Sequence, residues 1–437
     1  MKLATVLVCV AVACVGIAVA LRASGSGRVA TPAATPYCAP FNAELTQSNV
    51  EFLTARVQRD PQSSLDLNSL SAAYLQRSRE TGDISDALRA AQAAQRSLAI
   101  RTRRNAVGYN ALSRALLTQH RFREALAAAR RADQIEPYAE SAGYLACEIM
   151  IESGDYGAVR RELPKAYLTL KNPQGLALWA RLEEIQGSPE HALGLLSQAS
   201  AMVDHDVDAL PQTVAWFHMR RGNLLAMMGR ADEAMAQYGE AVALYPTDYR
   251  TMTSMARLCA GRGQWTETLA WAKRSAGIVP TPEILGLERD ALHALGREVD
   301  AKNVDATIAA VGQIESSQGT AYDRMRALYN AEHGIDTAGA VSLAGGELRE
   351  RHDVYAYDTL AWCLYRNGQA AEARRTMAKA LAIGTKDAVI YYHAGMIALS
   401  NGDRSGAKSY LGLALRVNPY FLPFAPDSAR KVLGTLV

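Results

Sequence analysis

The sequence predicts an all-α fold, a solenoid of about ten helix–turn–helix units stacked along one axis. Three observations predict it. A marker residue recurs at Gly82, His120, Gly154, Gly187, Gly229, Gly263, Gly296, Gly334, Gly368 and Gly402, with spacings of 38, 34, 33, 42, 34, 33, 38, 34 and 34. Small side chains recur five and twelve residues past these markers. Pro137, Pro246, Pro280 and Pro419 each stand seventeen residues past theirs. An architecture that lengthens by adding units suits 437 residues without requiring three separate globular cores.

Composition narrows the function classes. Hydrophobic residues make up 49% and charged residues 21%, with 47 basic against 44 acidic side chains and a net charge of +3. A nucleic-acid coat or an acidic tail usually shows a strong excess of one sign, so no nucleic-acid partner is expected.

Residues 1–23 are expected to be a signal peptide or an N-terminal membrane anchor. Leu3 to Leu21 carries no charge and is flanked by Lys2 and Arg22. Its length suffices to cross a bilayer core, whereas Ala18, Val19 and Ala20 suit a signal peptidase, so cleavage and retention both stay open. Either outcome predicts an exported protein, periplasmic or attached to the inner membrane facing the periplasm. Residues 24–47 read as a flexible linker, because Gly25 to Pro40 is built from Gly, Ser, Ala, Thr and Pro. Cys38 lies in it as the candidate reactive or intermolecular thiol. Cys147, Cys259 and Cys363 stand more than a hundred residues apart in different units and are expected as small core residues. Residues 48–67 are expected to hold a capping helix, Val50 to Arg59 before Pro61. Residues 68–421 form the solenoid, and 422–437 a second capping helix, Asp427 to Leu436.

Within each unit the marker falls between two helix-length segments, where a tight turn needs positive φ. Histidine tolerates that region better than most side chains, which accommodates His120. Five past the markers stand Ala87, Ala125, Val159, Ala192, Ala234, Thr268, Ala301, Gly339, Ala373 and Ala407. Seven residues further along the same face come Ala94, Ala132, Ala166, Ala199, Ala241, Ser275, Ile308, Gly346, Ala380 and Ala414. Their size lets the trailing helix press against the leading one, and Ile308 breaks the rule. Gly222, Ala256, Ala361 and Gly395 supply the matching small residues on the leading helix, among apolar positions such as Leu112, Leu116, Leu360 and Leu364. The prolines end the trailing helix by removing a donor.

A 34-residue unit with these positions resembles the tetratricopeptide repeat (TPR) family, most closely in Ala215 to Pro280 and Val354 to Pro419. Unit seven departs with Glu288 and Arg289, and unit eight is rich in glycine (Gly339, Gly345, Gly346). The resemblance implies a right-handed superhelix that binds protein or peptide partners on its concave surface, as a scaffold or adaptor. It places the leading helices on the inner wall, with the residues six and ten before each marker facing a ligand. In units nine and ten these are Trp362 and Asp358, then Met396 and Tyr392, with Tyr355 and Tyr365 nearby. They predict an aromatic strip for apolar or proline-rich segments, unless the rings instead fill contacts between adjacent leading helices. Unit two gives Arg114 and Asn110; units five and six give Asn223 with Met219 and Arg257 with Thr253. Asn223 and Arg257 resemble the polar residues that hold a peptide carboxylate in some TPR proteins.

No G-x-x-x-x-G-K-[ST], H-E-x-x-H, G-x-S-x-G or C-x-x-C occurs, so neither a reaction nor a cofactor is expected. Asp204, His205, Asp206 and Asp208 form the one dense constellation. It reads either as a divalent-cation loop, which would suit a metal-dependent or small-ligand-binding protein or enzyme, or as a solvated loop capping the next helix through Asp208 and Pro211. Residues 68–139 carry twelve arginines against six acids, with Arg101, Arg103 and Arg104 clustered. That surface is either merely solvated or suited to an anionic partner such as lipid headgroups or an acidic protein.

Overall fold

The computed structural model describes residues 43–137, 140–165, 172–318 and 323–436. The apolar leader at 3–21, Cys38 and most of the 24–47 linker lie outside the described residues. Within them every regular element is helical, and none is long and apolar enough to cross a membrane.

The helices alternate as leading and trailing partners. Units one to five pair Ser64–Thr81 with Ile84–Ile100, Ala106–Thr118 with Phe122–Ile135, Glu140–Ser153 with Tyr156–Glu162, Pro173–Ile185 with Pro189–Asp204, and Pro211–Met227 with Ala231–Leu244. Units six to ten pair Tyr249–Gly261 with Trp265–Ala276, Pro282–Ala294 with Glu298–Gln318, Asp323–His333 with Thr337–Glu347, Val354–Arg366 with Ala370–Leu381, and Ala388–Ser400 with Arg404–Val417. All ten markers adopt positive φ, from 56° at His120 to 89° at Gly154. The crossing inside each unit is as close as the small residues allow. A Cβ on Gly222 would fall 2.5 Å from Tyr238 Cε1, and one on Gly395 2.7 Å from Leu411 Cδ2. Ile308 escapes the size rule because it packs with Leu285 and Tyr329, filling space between units seven and eight.

Two boundaries differ from the sequence expectation. The N-terminal capping helix runs Ala43–Arg59, so the linker ends earlier; Val50 and Val57 pack on Leu67 and Leu70. The first leading helix already begins at Ser64, where the Ser63 hydroxyl accepts from the Asp66 amide. The closing helix at the other end is Ala425–Thr435. Cys147, Cys259 and Cys363 are free, buried thiols, and burial pushes their pKa values up to about 12, 11 and 12.

Stacking against sequence neighbours alone does not describe this solenoid. Its marker turns also touch residues almost two hundred positions further on. The His352 amide donates to Ser153 O at 2.8 Å, the Val354 amide to the Tyr156 hydroxyl at 3.1 Å, and Asn418 Nδ2 to Ala226 O at 2.8 Å. Thr385 Oγ1 donates to Ile185 O, and Arg123 pairs with Glu350 at 2.7 Å. The core follows the same route, one apolar cluster joining Tyr144, Leu145 and Ile149 to Val354, Ile390 and Ile397. Contacts at these separations, 192 to 227 residues, mean that successive turns of the superhelix press together. Glycine has a second role there: a Cβ on Gly187 would stand 2.3 Å from Gly384 O, and one on Gly154 2.4 Å from the His352 carbonyl carbon.

Candidate functional site

The inner wall is built from one row of side chains. Counting six back from each marker gives Gln76, Arg114, Glu148, Arg181, Asn223, Arg257, Asp290, Leu328, Trp362 and Met396. All but Trp362 are partly exposed, as expected of residues on the face turned from the trailing helix. The position ten back behaves differently. Asp358, Tyr392, Met219 and Thr253 are 3%, 7%, 6% and 6% exposed, because it turns toward the adjacent leading helix. Only the first position belongs to the inner face along most of the chain.

The row lines three cavities. Units one to five enclose about 890 Å³, walled by Arg114, Glu148 and Arg181 together with Arg79, Trp216 and Arg220. Apolar surface comes from Ile151, Ala177, Leu178 and Phe217 on the same wall. Arg181 and Arg220 share the Glu184 carboxylate, the latter at 3.2 Å. Among the described residues Arg79 and Arg114 form no ion pair. Enclosure lowers the pKa of Arg79, and repulsion from Arg250 and Arg114 lowers it further. Burial raises that of Glu148 against the pull of Arg114 and Arg79. Arg250 closes the group from the next turn, its Nη2 donating to Arg79 O at 2.9 Å.

A smaller cavity of about 170 Å³ brings together Asn223 and Arg257, the pair expected to hold a carboxylate. Both are already engaged. Asn223 accepts from the Tyr238 hydroxyl at 2.9 Å, and Arg257 is bonded to Glu283.

The third cavity, about 460 Å³, lies among units seven to ten and the C-terminal segment Leu422–Ala425. Trp362 lines it, 4% exposed, so the aromatic residues do not form an open strip. Trp362 stacks on His393 at 4.0 Å and meets Tyr365 and Tyr392 at 5.0 and 5.8 Å. Asp358 accepts from His393 Nδ1 at 2.9 Å. Tyr355 stands elsewhere, between the guanidinium groups of Arg181 and Arg324, each 5.3 Å from its ring centre. Met396 is partly buried in the C-terminal core, and Asn110 Oδ1 is buried without a hydrogen-bond partner among the described residues.

The acidic constellation does not converge. Among the described residues no three His, Cys, Asp or Glu side chains form a metal-binding group. Asp204 faces His218 at 3.5 Å, and Asp206 accepts from the Asp208 amide at 3.0 Å. Asp208 is not the cap of the following helix; Leu210 occupies that position, and its apolar side chain has no acceptor to offer the first-turn amides. Asp206 and Asp208 instead stand at the wall of the largest cavity. Arg101, Arg103 and Arg104 are exposed, away from all three cavities.

Residues 388–421 match the family model described as tetratricopeptide repeat. The chain carries a tetratricopeptide repeat. That TPR is unit ten, and the other nine share its two-helix form and its left-handed turn position. Among solved structures the chain is similar to one from the APC/C hetero-tetramer Cut9–Hcn1, at 12% identity and a TM-score of 0.34, covering 90% of this chain and 94% of that one. It is also similar to a tetratricopeptide repeat protein from Parabacteroides merdae, at 16% identity and a TM-score of 0.33, covering 61% and 99%. No curated protein matches the sequence. Of the site residues absent from the sequence reading, Glu148 and Arg181 carried a usable signal, since with Arg114 they make three charged residues in succession six before the marker in units two to four, whereas Arg79, Trp216 and Arg220 stand at other registers.

Proposed function

We propose that this protein is an exported or membrane-tethered TPR scaffold, periplasmic or on the periplasmic face of the inner membrane, that holds a protein or peptide segment inside its superhelix. The cavity of units one to five carries the reading. Its volume lies within the usual range of about 300 to 1,000 Å³ for ligand sites, and its wall sets apolar surface beside Arg79 and Arg114, which form no ion pair among the described residues and both act on Glu148. Leading helices locked by contacts between superhelical turns offer these groups preorganised, which lowers the ordering cost of an extended segment. No reaction is assigned. The leader at 3–21 supplies the export signal or tether.

Site-directed photo-cross-linking in envelope extract tests it. A cross-linker at Thr213, on the cavity wall, is expected to give discrete protein adducts that one at exposed Gln198 does not. Adducts from Gln198 alone, or none from Thr213, would overturn the reading.

A further inference from the structure

We propose that one rim of the superhelix, at units one and two, is a docking surface for an anionic phospholipid membrane; this goes beyond the scaffold reading and shares with it only the setting beside a bilayer. The close contacts between superhelical turns run one way. Gly82 meets Val279, Gly154 meets His352, Gly187 meets Gly384 and Gly229 meets Val417, so marker ends of the early units press against the opposite ends of units six to ten. None of these contacts reaches the ends of units one and two that lie away from the markers, and those ends stay exposed as a rim.

Local bonds gather four helix ends there. Arg56, in the last turn of the capping helix, pairs at 2.9 Å with Asp66 in the first turn of the first leading helix. Ser97 Oγ, near the end of the trailing helix, donates to Ser64 O at 3.0 Å. Asn105, which caps the next leading helix, is bonded to both Ser97 and Asn68. Two kinds of side chain are left at the surface. Leu65, Ile100 and Val107 are 67%, 36% and 59% exposed, large aliphatic groups at successive helix ends. Arg59, Arg101, Arg103 and Arg104 are exposed among them and form no ion pair among the described residues. Asp60 is the exposed acid beside them, and Asp66 is already neutralised by Arg56, so the sector keeps a positive excess.

Aliphatic groups interleaved with guanidinium groups on a rim match a bilayer surface, where the former enter the acyl boundary and the latter stay at the phosphates. An acidic protein would engage the arginines and has no need of the aliphatic groups. The acidic loop at 204–208 joins its helices on the same side of unit four, so the basic sector stops before it. The membrane that holds the leader is within reach. Residues 22–42 span at most about 75 Å when extended, and the capping helix of 17 residues carries the chain only about 26 Å from Ala43 to the rim.

The test uses the full chain with the thiols at Cys9, Cys14 and Cys38 replaced and a fluorophore on Thr102→Cys, an exposed rim position. A label on Ser405→Cys, exposed at the marker end of unit ten, is the control. Vesicles of phosphatidylcholine alone, or of equal parts phosphatidylcholine and phosphatidylglycerol, carry a nitroxide lipid as quencher. Quenching of the Thr102 label is expected in the anionic vesicles, at least about tenfold weaker with phosphatidylcholine alone or with Arg101→Gln and Arg103→Gln combined, while the Ser405 label stays bright. No quenching of the Thr102 label in anionic vesicles, equal quenching in both vesicles, or equal quenching of the Ser405 label would overturn the proposal. So would a Thr102 label that responds to polyglutamate and not to vesicles, which would make the rim a site for an acidic protein. Thr213 adducts without quenching sink the rim alone; quenching without adducts sinks the scaffold.

Discussion

The leading helices of units two to seven and those of units eight to ten carry opposite chemistry at the same register. Six before the marker the earlier units place Arg114, Glu148, Arg181, Asn223, Arg257 and Asp290, and the later ones Leu328, Trp362 and Met396. One row therefore lends Arg114, Glu148 and Arg181 to a wide cavity in the first half, and Asp290 and the buried Trp362 to a smaller one in the second. Register alone fixes which way a side chain points; its size, and the strap that closes the C-terminal end, fix whether it reaches solvent. Position ten shows the same point, since neighbouring leading helices bury it whether it is Asp358, Met219 or Thr253.

The sharpest way to break this contrast is truncation. Trp362→Ala is expected to cost about 3–5 kcal/mol of stability, as for other buried large aromatics, whereas Arg114→Ala costs roughly 0.5 kcal/mol or less because no ion pair is lost. Chemical denaturation of both variants measures the difference, and equal losses would place Arg114 in the core.

A second pair separates the turn from the contact between superhelical turns. Gly187→Ala meets both positive φ (83°) and the Gly384 carbonyl at 2.3 Å, and is expected to cost roughly 3 kcal/mol. Gly402→Ala, with φ of 79° and nothing within 4 Å of its Cβ, carries the backbone strain alone, about 1 kcal/mol. Similar melting shifts for the two would deny that the turns press together.

The N-terminal half alone has a titratable residue at a marker. Burial lowers the pKa of His120 from 6.5 to about 4, with Arg351 of the next superhelical turn adding repulsion and Asp353 opposing it. Between those pH values the unfolded ring binds a proton that the folded one does not. Stability is therefore whole above pH 6.5 and falls as pH drops toward 4. The ring keeps partial contact with water, so the loss is expected at roughly 1–2 kcal/mol. His120→Asn, which tolerates positive φ, should flatten that slope; an unchanged slope would assign it to other groups. The smallest stability effect is expected for Arg114→Gln, which should leave melting within about 0.5 kcal/mol yet weaken the Thr213 adducts.

Much of the repeat was legible because its signals are local. A turn, a crossing and a helix end each depend on residues within one unit, so even His120 could be placed in a left-handed turn. The tight closure could not be read, since it pairs Ser153 with His352 and Ile185 with Thr385, far apart in sequence with no periodic mark. The buried fate of Trp362 and Tyr392 follows from packing among units eight to ten and the segment at Phe421–Ala425. Asp208 misled for a local reason: the helix opens at Pro211, so the cap position falls on Leu210, two residues past the carboxylate.

The measurement that bears most directly on the account is intrachain cross-linking between superhelical turns. With the thiols at Cys9, Cys14 and Cys38 replaced, Gln186→Cys and Lys386→Cys would stand at the contact of Gly187 with Gly384. The buried native thiols, their pKa values raised, should stay unreactive. A short bismaleimide is expected to join the two cysteines within one chain nearly to completion in native buffer and not in denaturant. Native protein that remains unlinked would contradict a closed superhelix, and with it the enclosed cavities on which the functional reading stands.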